Sequence, residues 1–121
     1  MSDMKNNALE CPEWLSQWRE DLPDGIKPRK FWEETVNWLD SRGLLHNVFP
    51  GHIEEFAILS SRSHEAEMHI SELMPKYYES PFEYADAMNT MIDVSLNYAK
   101  HSLAAWDAIW KMAYPKSGRF A

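Results

Sequence analysis

The chain has 121 residues, 45% hydrophobic and 26% charged, with six Trp, five Tyr and five Phe. That suits one domain around one core and is too aromatic for a solvated tail. The lone Cys11 excludes an internal disulfide framework. No run of about 18 apolar residues exists to cross a membrane, and a net charge of −7 is a poor start for a monomer that must neutralise phosphates.

Residues 1–10 read as a flexible polar leader without the apolar core of a secretion signal, and the lone Cys11 points to a reducing compartment. Pro12 then opens a short first helix, EWLSQWRED, with Trp14, Leu15 and Trp18 expected on its buried face. LPDGIKP (22–28) is a turn by composition. Pro28 starts a second helix, PRKFWEETVNWLDSR, which Gly43 ends at the position that favours a left-handed backbone. Its inward side is expected to carry Phe31 or Trp32, Thr35, Val36 and Leu39, with Trp38 on the flank.

Leu44 and Leu45, in the connector LLHNVFP, are expected to plug the core. From Gly51 a third helix runs without a breaker until Pro75, about 23 residues or ~35 Å. KYYES is then a link. Ser80-Pro81-Phe82-Glu83 has the form of a capping box, and a fourth helix continues to Ala113, just before Tyr114-Pro115. Ala85, Ile92, Ala99, Trp106 and Ala113 recur every seventh position, interleaved by Leu96, Leu103 and Trp110, with Asn89 the exception. This 3-4 alternation predicts a helix-pairing seam, closed within one chain or between chains. The fold expected is all-α: two short N-terminal helices followed by a long antiparallel helical hairpin, one domain over residues 11–114, and a basic tail at 115–121.

The densest set of metal-ligand types is His64, Glu65, Glu67 and His69, with His52, Glu54 and Glu55 one stretch earlier. Only Glu65 and His69 have the i, i+4 spacing, and no Glu-x-x-His occurs, so the set reads as a solvated helix face and no metal is expected. His101 and Asp107, six apart, face different ways, and Cys11 has no activating partner. With no phosphate loop, dinucleotide turn or nucleophile elbow, no catalytic residue and no cofactor is expected. Two basic groups remain. Lys27, Arg29 and Lys30 stand at the start of the second helix, with Arg42 at its end. Lys111, Lys116 and Arg119, after Lys100, mark the end of the fourth helix and the tail. Cations beside a helix N-terminus can hold phosphate, and a ring of copies would repeat a modest basic patch with avidity. The Trp residues could stack on bases, but their spacing along amphipathic helices fits core contacts.

Taken in order, CPEWLS, FWEETVNWLDSRGLL and HIEEFAILSSRSHEAEMHI resemble phage terminase small subunits of the P27-like group. The matching positions are Pro12, Trp14 and Leu15; Trp32, Leu39, Gly43, Leu44 and Leu45; then Phe56, Arg62, Glu65 and Glu67. More loosely, Trp106, Pro115, Ser117 and Arg119 match the family's closing helix and tail. The sequence departs from the family where SPFEYADAMNTMIDVSLNYAK reads as continuous helix, and it lacks the usual Leu-Thr-Pro before the tail.

The resemblance implies a non-enzymatic packaging adaptor in the cytoplasm of an infected bacterial host. Its partners would be viral double-stranded DNA, the large ATPase and nuclease subunit of the terminase, and its own copies in a homo-oligomeric ring. Lys27, Arg29, Lys30 and Arg42 become DNA-contact candidates, and Lys111, Lys116 and Arg119 candidates for DNA or the large subunit. Ile92, Leu96, Ala99, Leu103, Trp106 and Trp110 become oligomerisation candidates. Without the resemblance, the same residues read equally as a helical protein-binding module, an assembly chaperone or host-directed inhibitor that binds no DNA.

Overall fold

A computed structural model of the protein describes residues 9–115. They form four α-helices and no strand: α1 (Glu13–Gln17), α2 (Pro28–Ser41), α3 (Pro50–Glu79) and α4 (Pro81–Ala113), with 3-10 turns at Asp24–Ile26 and Leu45–Asn47. The all-α expectation holds, as does the antiparallel pairing of α3 with α4, which is the most extensive contact in the molecule. At 30 and 33 residues these helices are ~45 and ~50 Å long. The short helix α2 lies across the first half of α3.

α1 is shorter than the sequence indicates. Trp18 is extended and Arg19 has φ of 57°, so the chain leaves the helix before Trp18 can join its buried face. Leu15 alone is fully buried, while Trp14 is 52% exposed. α2 follows the expected pattern, burying Trp32, Thr35, Val36 and Leu39, with Phe31 and Trp38 at the margin. It ends in a Schellman motif: the Leu44 N–H donates to the Leu39 carbonyl at 2.8 Å and the Gly43 N–H to Asp40 at 3.0 Å. Gly43 has φ of +68°, a conformation with a steric cost for any residue bearing a Cβ. Leu44 and Leu45 pack at the edge of the core, and Val48 is the connector side chain that fills it.

α3 passes through Pro75 and stops at Glu79, so KYYE is its last turn and not a link. An internal proline removes the one N–H that would reach the Ser71 carbonyl. The true stop is Ser80, held at φ of −141° ahead of Pro81, where the pre-proline position disfavours helix. The capping box does not close: the Ser80 side chain makes no cap bond, and its carbonyl accepts from Glu83 and Tyr84 at 3.1 and 3.2 Å. At the far end of α4, Asn47 donates from Nδ2 to the Ala113 carbonyl at 3.1 Å, satisfying one of the helix's orphan acceptors.

The core lies at one end of the molecule. Leu15, Trp32, Val36, Leu39, Val48, Ile53, Ala57, Ile109 and Ala113 form it, and Leu9 packs against it, so part of the expected leader belongs to the domain. Beyond Ala66, α3 runs a further 13 residues without burying a side chain fully, and the facing stretch of α4 contributes only Met88. Among the described residues the distal hairpin is therefore two helices deep, with no third layer over it.

Candidate functional site

The seam that α4 presents to α3 is displaced by one residue from the expected row. Met88, Ala105 and Ile109 are buried, and Tyr84, Met91, Ser95, Tyr98 and Ser102 lie half-buried between them at the same 3-4 spacing. The Ser60 and Ser102 hydroxyls are 2.9 Å apart across this seam. Small side chains let the two backbones approach, so an unassuming row becomes the one that α3 covers. The expected row is turned about 100° away and stands in the open: Leu96 is 64% exposed, Leu103 69%, Trp110 40% and Ile92 39%. Ala99 is exposed beside them, and Phe82 projects fully at the hairpin tip.

Of that row, Ala113 is buried in the core and Trp106 is held substantially by its own chain. Its ring centroid is 5.4 Å from Trp38 and 5.3 Å from Phe56, and Trp110 packs on Tyr114 at 4.6 Å and on Trp38 at 6.1 Å. Arg42 covers the outer face of Trp38, with its guanidinium carbon 4.4 Å from a ring centroid. The free edges of Trp106 and Trp110 join Leu103, Ala104, Lys100 and Asp107 in an open groove of about 530 Å³. Contacts between these rings involve residues from three helices, a juxtaposition that periodicity within any one helix cannot reveal.

The basic residues do not gather into one patch. Lys27 lies 3.1 Å from Asp24, Arg29 donates to Glu33 at 3.0 Å, and Lys30 is 3.6 Å from Glu34. Arg42 is at the other end of α2, ~21 Å along the 14-residue helix. Lys111 is paired with Asp107 at 2.9 Å, and Lys116 and Arg119 lie outside the described residues. Lys27, Arg29, Lys30, Arg42 and Lys111 thus each already have an acidic or aromatic neighbour.

The supposed polar face of α3 also has internal work. Glu65, expected to be solvated, is only 17% exposed and accepts two bonds from the Arg19 guanidinium, at 3.1 and 2.6 Å. Those bonds, aided by the Arg19 charge, hold its carboxyl below the usual 4.5 against the opposing effect of burial. The left-handed turn at Arg19 thus delivers a clamp between the end of α1 and α3. Arg62 extends it, its guanidinium 5.0 Å from Trp18 and 5.8 Å from Tyr98. His64 places its ring 4.9 Å from Phe31, with Nδ1 2.8 Å from the Ser60 carbonyl. His69 leans on Glu65 and Glu72. No group of three metal-ligating side chains converges among the described residues. Burial, reinforced by Glu33, pushes the Cys11 thiol up, away from the thiolate a nucleophile needs. Among the described residues no helix is long and apolar enough to cross a membrane. Compared with protein families, with curated proteins and with solved structures, the chain matches none.

Proposed function

We propose that the chain is a non-catalytic adaptor of viral DNA packaging, a small terminase subunit that self-assembles through α4, recognises viral double-stranded DNA and engages the large subunit in the infected bacterium. The observation that carries the reading is the open apolar row of α4 on a hairpin that has no third layer among the described residues, joined to the order of motifs between Pro12 and Glu67. An assembly face of this kind is what an acidic chain needs in order to present few cations many times over. The ion pairs of Arg29 and Lys30 do not oppose DNA contact. Exposed pairs of this type are worth about 0–1 kcal/mol, so phosphate can displace Glu33 and Glu34.

The test is affinity for double-stranded DNA across a salt series, for the native chain and for the Arg29→Ala/Lys30→Ala double variant. If each contacts one phosphate, the double variant binds more weakly. Its log–log salt slope then falls by about 1.8. Unchanged affinity and slope would remove these residues from the interface. A second reading is favoured by the acidic partners already held by Lys27, Arg29, Lys30 and Lys111. In that reading the chain is a protein-binding helical module. It binds no DNA at any salt, and Leu96→Asp or Leu103→Asp abolishes partner capture.

A further inference from the structure

We propose that the open row of α4 pairs with the same row of a second copy of this chain, laid antiparallel. The inference rests on the reading of α4 as an assembly face and is independent of DNA. The row repeats at the 3-4 spacing that pairs helices over its whole length, and among the described residues the distal hairpin has no third element to cover it.

Size complementarity selects the direction. Consider the antiparallel register with Leu96 against Ala99 of the second copy. Ile92 then meets Leu103, Trp106 meets Asn89, and Trp110 meets Ala85. Each Trp faces a short side chain, as interdigitated packing requires. The fully exposed Phe82 is carried to the Trp110 end of the second copy. A parallel, in-register pair would instead stack Trp106 on Trp106 and Trp110 on Trp110, and leave Ala99 facing Ala99.

Charge selects the same direction. Asp86, Asp93, Lys100 and Asp107 follow one another at seven-residue intervals along the open flank of the row. Antiparallel pairing sets Asp93 beside Lys100 of the second copy, twice by symmetry. Asp107, the residue brought toward Asp86, is already paired with Lys111 at 2.9 Å. Parallel pairing puts the two flanks on opposite sides of the interface and forms no such pair. The antiparallel contact is isologous and closes at two copies, so a ring would be built from such pairs through a second surface.

The experiment uses the full chain with Cys11→Ser, carrying either Ile92→Cys or Leu103→Cys, the two proteins distinguished by a short mass tag. Both positions are on the open row, so neither substitution opens the core. Each protein is oxidised alone and in an equimolar mixture, and the native mass of the unmodified chain is measured by light scattering. The expected result is a mixed cross-linked species of twice 14.2 kDa in the mixture, and little cross-linking of either protein alone. Self-linking of each protein alone would overturn the direction. A single-chain native mass, or an oligomer with no cross-link in any sample, would overturn the contact itself. Loss of DNA binding with the mixed cross-link intact would sink the packaging reading and leave this one standing.

Discussion

Two substitutions six residues apart on α4 test which of its faces α3 covers. Ile109 is fully buried at the junction of α4 with α2 and α3, whereas Leu103 is 69% exposed on the neighbouring row. Ile109→Ala deletes three carbon atoms, worth about 2.4 kcal/mol in transfer alone at ~0.8 kcal/mol per methylene. The cavity left among Leu39, Ile53 and their neighbours adds to that, for a total of about 3–4 kcal/mol. In a domain of this size each kcal/mol lowers Tm by roughly 4 °C, so a drop of ~12–16 °C follows. Leu103→Ala leaves its surroundings in water and changes the stability of the single chain by less than about 0.5 kcal/mol. Urea unfolding at several protein concentrations separates the two effects. The Ile109→Ala loss is present at every concentration, while any Leu103→Ala loss grows with concentration because it is a loss of association. Equal costs in dilute protein, or a cost below about 1 kcal/mol for Ile109→Ala, would refute the assigned phase of α4.

Three further outcomes follow from the clamp and the turns. Glu65→Gln, which keeps the shape but loses the charge facing Arg19, costs about 1–2 kcal/mol near neutral pH by urea unfolding. Because the folded Glu65 carboxyl is held below its usual value, its contribution is present above about pH 4.5 and is lost as pH falls further; the Gln variant therefore shows a shallower acid decline, and parallel pH profiles would remove the clamp. Gly43→Ala costs about 1–2 kcal/mol although a Cβ there touches nothing, since φ of +68° alone carries the penalty; a neutral result by thermal melting would contradict the left-handed cap. Ser61→Ala, which strands the Ile26 carbonyl that its hydroxyl meets at 2.6 Å, costs about 1–2 kcal/mol by the same melt, and no change would show that this bond contributes nothing.

What could be read from the chain depends on which interactions are local. The prolines at 28 and 81 and the glycine at 43 act on their own backbone, so α2 and α4 were legible to their ends. Pro75 misleads because a proline's local cost does not decide whether a long helix continues through it; Ser80-Pro81, a stronger two-residue stop, does. Which row of α4 meets α3 was left open by the sequence for a related reason. Two rows with the same spacing run side by side, and hydrophobicity favours the one holding Leu96, Leu103 and Trp110. Close approach of two backbones instead favours the row of Ser95, Ser102 and Ala105, matched by Ser60 and Ser63 on α3. The residues of the more hydrophobic row are, for that reason, the ones left in the open. Arg19, paired with Glu65 across 46 positions, had no local signal at all.

The most direct test of the account is the native mass of the chain by light scattering across a concentration series, with Leu96→Asp/Leu103→Asp measured alongside. The open row on α4 predicts a stable oligomer of the native chain, and a folded single chain for the double variant because both positions lie outside the core. A native chain that remains a single copy at every concentration, or a double variant that assembles as the native chain does, would contradict it.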